Sequence, residues 1–504
     1  MTVADPFADG MGSIAALARA QAGGTLSAVA LVDRYLERIA RLDHQTRAVV
    51  EINPEARELA VALDRECAAG HLRGPLHGIP ILIKDNIDTA DRMQTTAGSL
   101  ALLGPPAHAD AGVVARLRAG GALILGKANL SEWANYRSTR SSSGWSGRGR
   151  QTRNPHALDR TPSGSSSGSA AAAAAGFAAA TLGTETGGSI VSPAGACGVV
   201  GIKPTVGLTS RAGVIPIAHS QDTVGPMARS VADAAALLGV IVGPDPRDPA
   251  TLDQPTALPL DYTAFLAADG LRGARIGVAR DPYVGNSEHS AAIFEAALGT
   301  LRAAGATLID PANIPTVDAI ARRSTTVLDY EFKADLNAYL ATRPDLAVHS
   351  LADIIAFNLA HADEELPYFR QEILERAQAC GPLTDALYLD TLALNHRLSR
   401  EQGIDAVLQE HRLDALVAPT NTPASVIDQL TGTGRFLSDS ASPAALAGYP
   451  LVTVPAGQVY GLPLNITFMG TAWSEPTLIR LAYAFEQAAR AWIQPQFLPT
   501  IPLP

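Results

Sequence analysis

Residues 163–191 read SGSSSGSAAAAAAGFAAATLGTETGGSIV: a serine-rich opening, an alanine and glycine run, then a second serine behind a glycine pair, with Glu185 as the only charged residue. Small residues at this density let a helix lie close against a sheet, and they leave backbone N–H groups accessible around Ser165 and Ser189. Glycine costs backbone entropy, so Gly187-Gly188 ahead of Ser189 requires a local reason, either a positive-φ turn or room for a ligand. The stretch reads either as a nucleophilic serine with an oxyanion hole or as a tight turn beside a buried small-residue helix.

The lysines add a second signal. Of 39 basic residues only Lys84, Lys127, Lys203 and Lys333 are lysine. Arginine stays protonated in a protein, whereas a buried lysine can lose its proton and act as a base. Lys84 ends the apolar run GIPILIK, which reads as a buried strand, and desolvation there favours the neutral amine. Lys127 in LILGKAN and Lys203 in VVGIKPT read as structural lysines that bond loop carbonyls. Lys333, in DYEFKADL, reads as part of a charged helical face.

Composition narrows the class. The 504 residues are 47% hydrophobic and 17% charged, enough to bury a large core, and the net charge of −10 argues against a general nucleic-acid or anionic-membrane binder. Cys67, Cys197 and Cys380 are widely separated, with no CxxC or HExxH, so neither a disulfide framework nor a metal site is indicated. Cys197 reads as a buried core thiol. No signal peptide or membrane-spanning segment stands out, which fits a cytoplasmic protein or a mature periplasmic or secreted one whose leader has been removed.

Along the chain, TLSAVALVDRYLERIARLD is an amphipathic helix with Thr25 as its expected cap, and the strand before Lys84, the helix AGVVARLRAGG and the strand ALILG set an α/β rhythm. Residues 137–155, with five arginines and no acid, read as a long loop that contacts RNA, covers substrate or is simply solvated; the acidic chain disfavours RNA. A proline-rich connector spans 244–260. The segment 270–400 is mostly helical after one strand, ARIGVAR, and strand signals return at 414–419, 451–455 and 462–470 before a helix at about 475–492. Sheet residues thus come from both ends of the sequence, which suits one domain over 1–504: a core at about 70–230, a mostly helical insertion at about 270–400, and a C-terminal part, about 404–492, returning to the core.

Gly164-Ser165-Ser166-Ser167-Gly168 matches the G-x-S-x-G nucleophile elbow and would point to Ser166. That motif requires a preceding strand, and NPHALDRTPS is polar and proline-bearing. No P-loop or complete G-x-G-x-x-G is present, so a nucleotide cofactor has no support.

Lys84 at a strand end, Ser165 in GSSSGSA and Ser189 in TETGGSI together resemble the amidase signature family. GPLHGIPILIKDNI, GALILGKANLSEWA, TRNP, GVVGIKPTVGLTSRAGVIP and QDTVGPMARSVADAA extend the likeness over about 26–230, with a weaker echo in GYPLVTVP and GLPLNITFMG. SEWANYRS, SGWSGRGRQTRNP, IPIAHSQDTVGPM and MGTAWSEP look most like the bacterial peptide amidases, which hydrolyse the C-terminal carboxamide of peptides. The resemblance implies an α/β fold, a large twisted mixed β-sheet flanked by helices on both faces. It implies Ser189 as nucleophile, Ser165 after a cis peptide bond as bridging proton shuttle, and Lys84 as base. The backbone N–H groups of Thr186, Gly187, Gly188 and Ser189 would form the oxyanion hole. No metal or cofactor is implied. The expected partner is a small-molecule or peptide amide, with neither nucleic acid nor membrane, on a monomer or a self-dimer.

The chemistry agrees, because a serine hydroxyl is a weak nucleophile until a base accepts its proton, and a neutral lysine relayed through a second hydroxyl meets that need without histidine. Two positions depart from the commoner family pattern: Glu185 stands where aspartate is usual, and Val191 where many members carry arginine. Losing that cation fits a neutral, more apolar acyl portion. Asp222 in SQDTVGP reads as a residue orienting the site or as a structural cap, and Ser143, Trp145 and Trp473 as cleft candidates or packing residues. An aryl-acylamide or carbamate hydrolase, the glutaminase subunit of a tRNA-dependent amidotransferase, and a catalytically silent binding protein are the rival readings.

Overall fold

The computed structural model describes residues 12–284, 287–321, 325–432 and 440–502. Eleven strands form one sheet: β1 (Val49–Ile52), β2 (Pro80–Lys84), β3 (Leu123–Ala128), β4 (Ala180–Glu185), β5 (Val200–Lys203), β6 (Thr223–Ala228), β7 (Arg275–Val278), β8 (Thr307–Ile309), β9 (Ala415–Pro419), β10 (Leu451–Val459) and β11 (Leu462–Met469). Their spatial order is β1-β3-β2-β4-β6-β5-β10-β11-β9-β7-β8. The sheet is mixed: β3, β2 and β4 run parallel, β6 is antiparallel to β4, and β10 and β11 form an antiparallel pair. The C-terminal strands enter the middle of the sheet, between β5 and β7, so strands from both halves of the sequence share one sheet.

Lys84 owes its position to β2. Pro80, Ile81, Leu82 and Ile83 are fully buried between β3 and β4, and the run ends with the lysine on the central part of the sheet. Next to it, every residue of the helix Ser167–Ala175 is buried against β2, β3, β4 and β6. Alanine makes that approach feasible, since no side chain beyond Cβ separates helix from sheet. The helix closes on Gly176, φ 70°, and its last carbonyls are bonded by two buried arginines: Arg38 Nε donates to Ala175 O at 2.8 Å, and Arg229 Nη1 to Ala173 O at 3.1 Å.

Three sequence-based expectations need correction. The helix after residue 25 spans Ala28–Thr46 and is capped by Ser27, whose Oγ accepts from Ala30 N; the Thr25 hydroxyl instead donates to Ala20 O. Lys333, on the helix Thr325–Ala341, is more than part of an ordinary charged face: its Nζ donates to Gln378 O and Cys380 O at 2.9 and 2.6 Å, clasping the C-terminal end of the helix Glu372–Gln378. The arginine loop is packed rather than solvated. Trp145, Ser146 and Thr152 are buried, Arg137 and Arg148 face carboxylates, and only Thr139, Arg140, Arg150 and Arg153 are exposed. Periodicity missed the short edge strands β1 and β8, whose three or four residues carry too little pattern.

Candidate active site

Lys84 and Ser165 meet in the buried interior: Lys84 Nζ donates to Ser165 Oγ at 2.8 Å, to Thr184 Oγ1 at 2.8 Å and to Thr184 O at 3.2 Å. Burial pushes the amine down from 10.5 to about 7, against the smaller opposing pull of the Asp222 and Glu185 charges. Ser165 follows a cis peptide bond, Gly164–Ser165. Ser166, one residue on, donates its hydroxyl to Thr184 O and accepts from Thr184 N at 3.2 Å, so it is bound to the backbone of β4. No strand precedes it among residues 161–166, and the elbow reading of Ser166 lacks its structural context.

Ser189 lies beyond the end of β4, 8% exposed, and its carbonyl accepts from Ser166 N at 3.2 Å, joining its loop to the Ser165 turn. The two glycines before it have different reasons. Gly188 has φ 83°, a conformation that disfavours other residues. Gly187 is exposed outside the left-handed region, and a Cβ built there meets nothing within 4 Å; it borders open space.

Glu185 lies behind this loop. Its Oε2 accepts from Ile190 N at 2.7 Å and Val191 N at 3.0 Å, the start of the helix Val191–Cys197. Burial raises its pKa, while Lys203 and then the N–H groups of Val191, Ile190 and Gly188 lower it. Lys203 is structural as expected, donating to Tyr449 O at 2.7 Å and Pro204 O at 3.1 Å. Lys127 likewise donates to Ile87 O at 2.5 Å and Thr95 Oγ1 at 2.9 Å. Cys197 is fully buried, with its thiol pKa pushed up by burial.

Asp222 forms the cap that its motif suggests. It accepts from Thr186 Oγ1 with one oxygen and from Ile217 N and Ala218 N, at 2.8 and 2.9 Å, with the other. It thus ties the start of the Ser189 loop to residues 217–218. Burial raises its pKa to about 6 against those three hydrogen bonds.

The remaining cleft candidates are buried or packed against the core, and the Trp145 loop reaches the Ser165 turn through Ser131, whose N–H donates to Ser165 O at 3.0 Å and whose Oγ accepts from Gly144 N at 2.8 Å. Trp145 is 1% exposed, edge-on to Phe369 and Tyr368 with the Arg137 guanidinium 5.0 Å from its ring, and is a core residue. Ser143 is buried and its carbonyl accepts from Gln151 Nε2 at 2.9 Å. Trp473, φ 65°, is held by Thr205 Oγ1 through its backbone N–H and packs on the main core. Sequence reasoning missed Thr184 and Asn86, which complete the surroundings of Lys84. Their signal is a polar side chain inside stretches otherwise buried, TLGTE and IKDN.

The Amidase family profile matches residues 30–479. A probable amidase of Arabidopsis thaliana is 43% identical over 94% of this chain and 89% of its own length. The crystal structure of peptide amidase from Stenotrophomonas maltophilia is 51% identical and superposes with a TM-score of 0.93 over 98% of this chain and 99% of that one. A glutamyl-tRNA(Gln) amidotransferase subunit of Chloroflexus aggregans is 37% identical over 94% of this chain and 96% of its length. With a family match across both the signature core and the returning C-terminal strands, this chain belongs to the amidase signature family and is an amide hydrolase.

Proposed function

We propose that this amidase hydrolyses the C-terminal carboxamide of peptides, releasing ammonia through an acyl-enzyme on Ser189, with Ser165 as proton shuttle and Lys84 as base. The observation that carries the reading is the buried 2.8 Å contact between Lys84 Nζ and Ser165 Oγ, with the amine pushed down to about 7. At that value a large fraction is neutral at physiological pH and available to accept a proton. The substrate class draws support from the whole-chain likeness to a peptide amidase and from Val191, which leaves the nucleophile loop without a cation for an acidic acyl group.

In this reading Ser189 Oγ attacks the amide carbon while its proton passes to Ser165, whose own proton passes to Lys84 Nζ. The carbonyl oxygen becomes an oxyanion against the N–H groups of Thr186, Gly187, Gly188 and Ser189. The C–N bond breaks as Ser165 returns a proton to the departing ammonia and Lys84 reprotonates Ser165. Water, deprotonated through the same relay, then attacks the acyl carbon, and Ser189 regains its proton as the free acid leaves.

Incubating the purified chain with an N-protected dipeptide amide, alongside Ser189→Ala, tests this by ammonia release and product mass. Ammonia and a free C-terminal acid from the wild type alone are expected; turnover by Ser189→Ala at the wild-type rate would overturn the assignment of the nucleophile. The 37% identity to an amidotransferase component favours a second reading, a glutaminase that passes ammonia to a partner, and ammonia from glutamine only with added partner proteins would establish it.

A further inference from the structure

Beside Thr184, which receives a hydrogen bond from Lys84, lies a small cavity bounded by Asn86, Thr184, Thr186, Arg211, Asp222 and Val224, about 10 Å³, the smallest space that admits one water. Asn86 is 2% exposed, and its Nδ2 donates to Thr184 Oγ1 at 3.0 Å and to Ile215 O at 3.4 Å. A carbonyl only accepts, so this pairing fixes the amide orientation and leaves Oδ1, which has no partner among the described residues. Thr184 Oγ1 in turn receives two hydrogen bonds, from Asn86 Nδ2 and Lys84 Nζ. A hydroxyl has two acceptor sites and one proton, so the Thr184 proton points to a third partner.

We propose that this cavity binds one water molecule, which accepts the Thr184 proton and donates to Asn86 Oδ1, and thereby keeps the lone pair of neutral Lys84 for Ser165. The inference rests on Lys84 being the base. Neutral Lys84 has two protons and one lone pair to share among Ser165 Oγ, Thr184 Oγ1 and Thr184 O. With the water in place Thr184 remains an acceptor toward Lys84, and Ser165 is the hydroxyl that donates into the lone pair. Without it, the Thr184 proton turns to Lys84 Nζ, which stabilises the neutral amine and shuts Ser165 out. The charges facing Lys84 are Asp222 and Glu185, themselves faced by Arg211 and Lys203; Asp222 and Arg211 also line the cavity, whereas Glu185 and Lys203 do not.

Two substrate-free measurements test the proposal, so they remain informative even where peptide amides are not turned over. A high-resolution crystal structure should show one ordered water within hydrogen-bonding distance of Asn86 Oδ1 and Thr184 Oγ1. Because the chain has only four lysines, isotope-labelled lysine NMR resolves Lys84 directly. Val224, fully buried on the cavity wall, carries the variants. Val224→Ile should fill the cavity, displace the water and lower the Lys84 titration midpoint by on the order of half a pH unit; Val224→Ala, which enlarges the cavity, should keep both water and midpoint. Should Val224→Ile not fold, Val214→Leu fills the same space from the other wall. No ordered water in the wild type, or an unchanged midpoint in a folded filling variant, would overturn the proposal.

Discussion

Lys84 and Asp222 make the site's pH response a two-step one. On the proposed mechanism Lys84, pushed down by burial to about 7, accepts the proton only when neutral, so kcat/KM should fall about tenfold per pH unit below that value. Asp222, raised to about 6, holds Thr186 and residues 217–218 as a carboxylate, so a second proton binds below that pH and the limb should steepen. Stability runs in the same direction: a lysine depressed from 10.5 to about 7 contributes fully only above 10.5, and that contribution is lost as pH falls through 7. A pH–rate profile that keeps a single unit slope down to pH 5 would contradict the Asp222 step. Gly187 gives a second residue-scale prediction. A Cβ there enters open space, so Gly187→Ala should leave the melting temperature within a few degrees of wild type. If that space is where the acyl group lies, kcat/KM with a dipeptide amide should drop on the order of a hundredfold, the cost typical of a lost oxyanion contact. Unchanged kinetics would place the substrate elsewhere.

The helix Ser167–Ala175 and its two flanking loops are the elements that hold Ser165 and Ser189 in place. Gly168 N–H donates to Asn129 O at 2.9 Å, and a Cβ on Gly168 would lie 2.3 Å from Ala48 O and 2.5 Å from both Asn129 N and Asn129 O. All three obstacles are backbone, so nothing can rotate aside. Gly168→Ala should therefore cost about 1–3 kcal/mol, read by denaturant unfolding. It should also lower kcat more than it raises KM, because Ser165 lies three residues away on the segment that must shift. This element was legible in the sequence: the density of alanine and glycine announced close packing, and the apolar run GIPILIK announced a buried strand ending in a lysine. Less legible was what small polar residues do once buried. Nothing in SSS separates Ser165, which meets Lys84, from Ser166, which is bonded to β4, because the difference lies in strands brought together across 81 residues of chain. The Trp145 loop misled in the opposite way. Arginine and serine content suggested solvent, yet aromatic and carboxylate partners more than 200 residues away bury it.

Across the whole molecule, the helical segment after β8 is attached to the signature core at several points, and one of them is a fully buried charge cluster. Arg137 pairs with Glu132 and lies 3.7 Å from Glu365 Oε2, with its guanidinium 4.2 Å from the Phe369 ring. Glu132 also accepts from Gly147 N at 2.6 Å and Glu365 from Leu100 N at 2.6 Å, so four separate stretches of chain converge here. Two carboxylates share one cation, and burial, with Glu365 nearby, raises the Glu132 pKa well above the usual carboxylate range against the pull of Arg137. A raised carboxyl favours the fold at low pH and loses that contribution as pH rises through its folded value. Arg137→Met removes the cation they share while keeping much of the packing against Trp145 and Phe369. It should cost about 3–5 kcal/mol near neutral pH, the usual penalty for stranding a buried charge. The loss should shrink at pH 5, where Glu132, whose carboxyl is raised, can bind a proton and bury as a neutral group. Adding Glu132→Gln and Glu365→Gln to Arg137→Met should recover most of the stability at pH 8 and abolish the pH dependence of the deficit. Chemical denaturation of the single and triple variants at pH 5 and 8 measures this, and an equal deficit at both pH values would show that Arg137 acts through packing rather than charge.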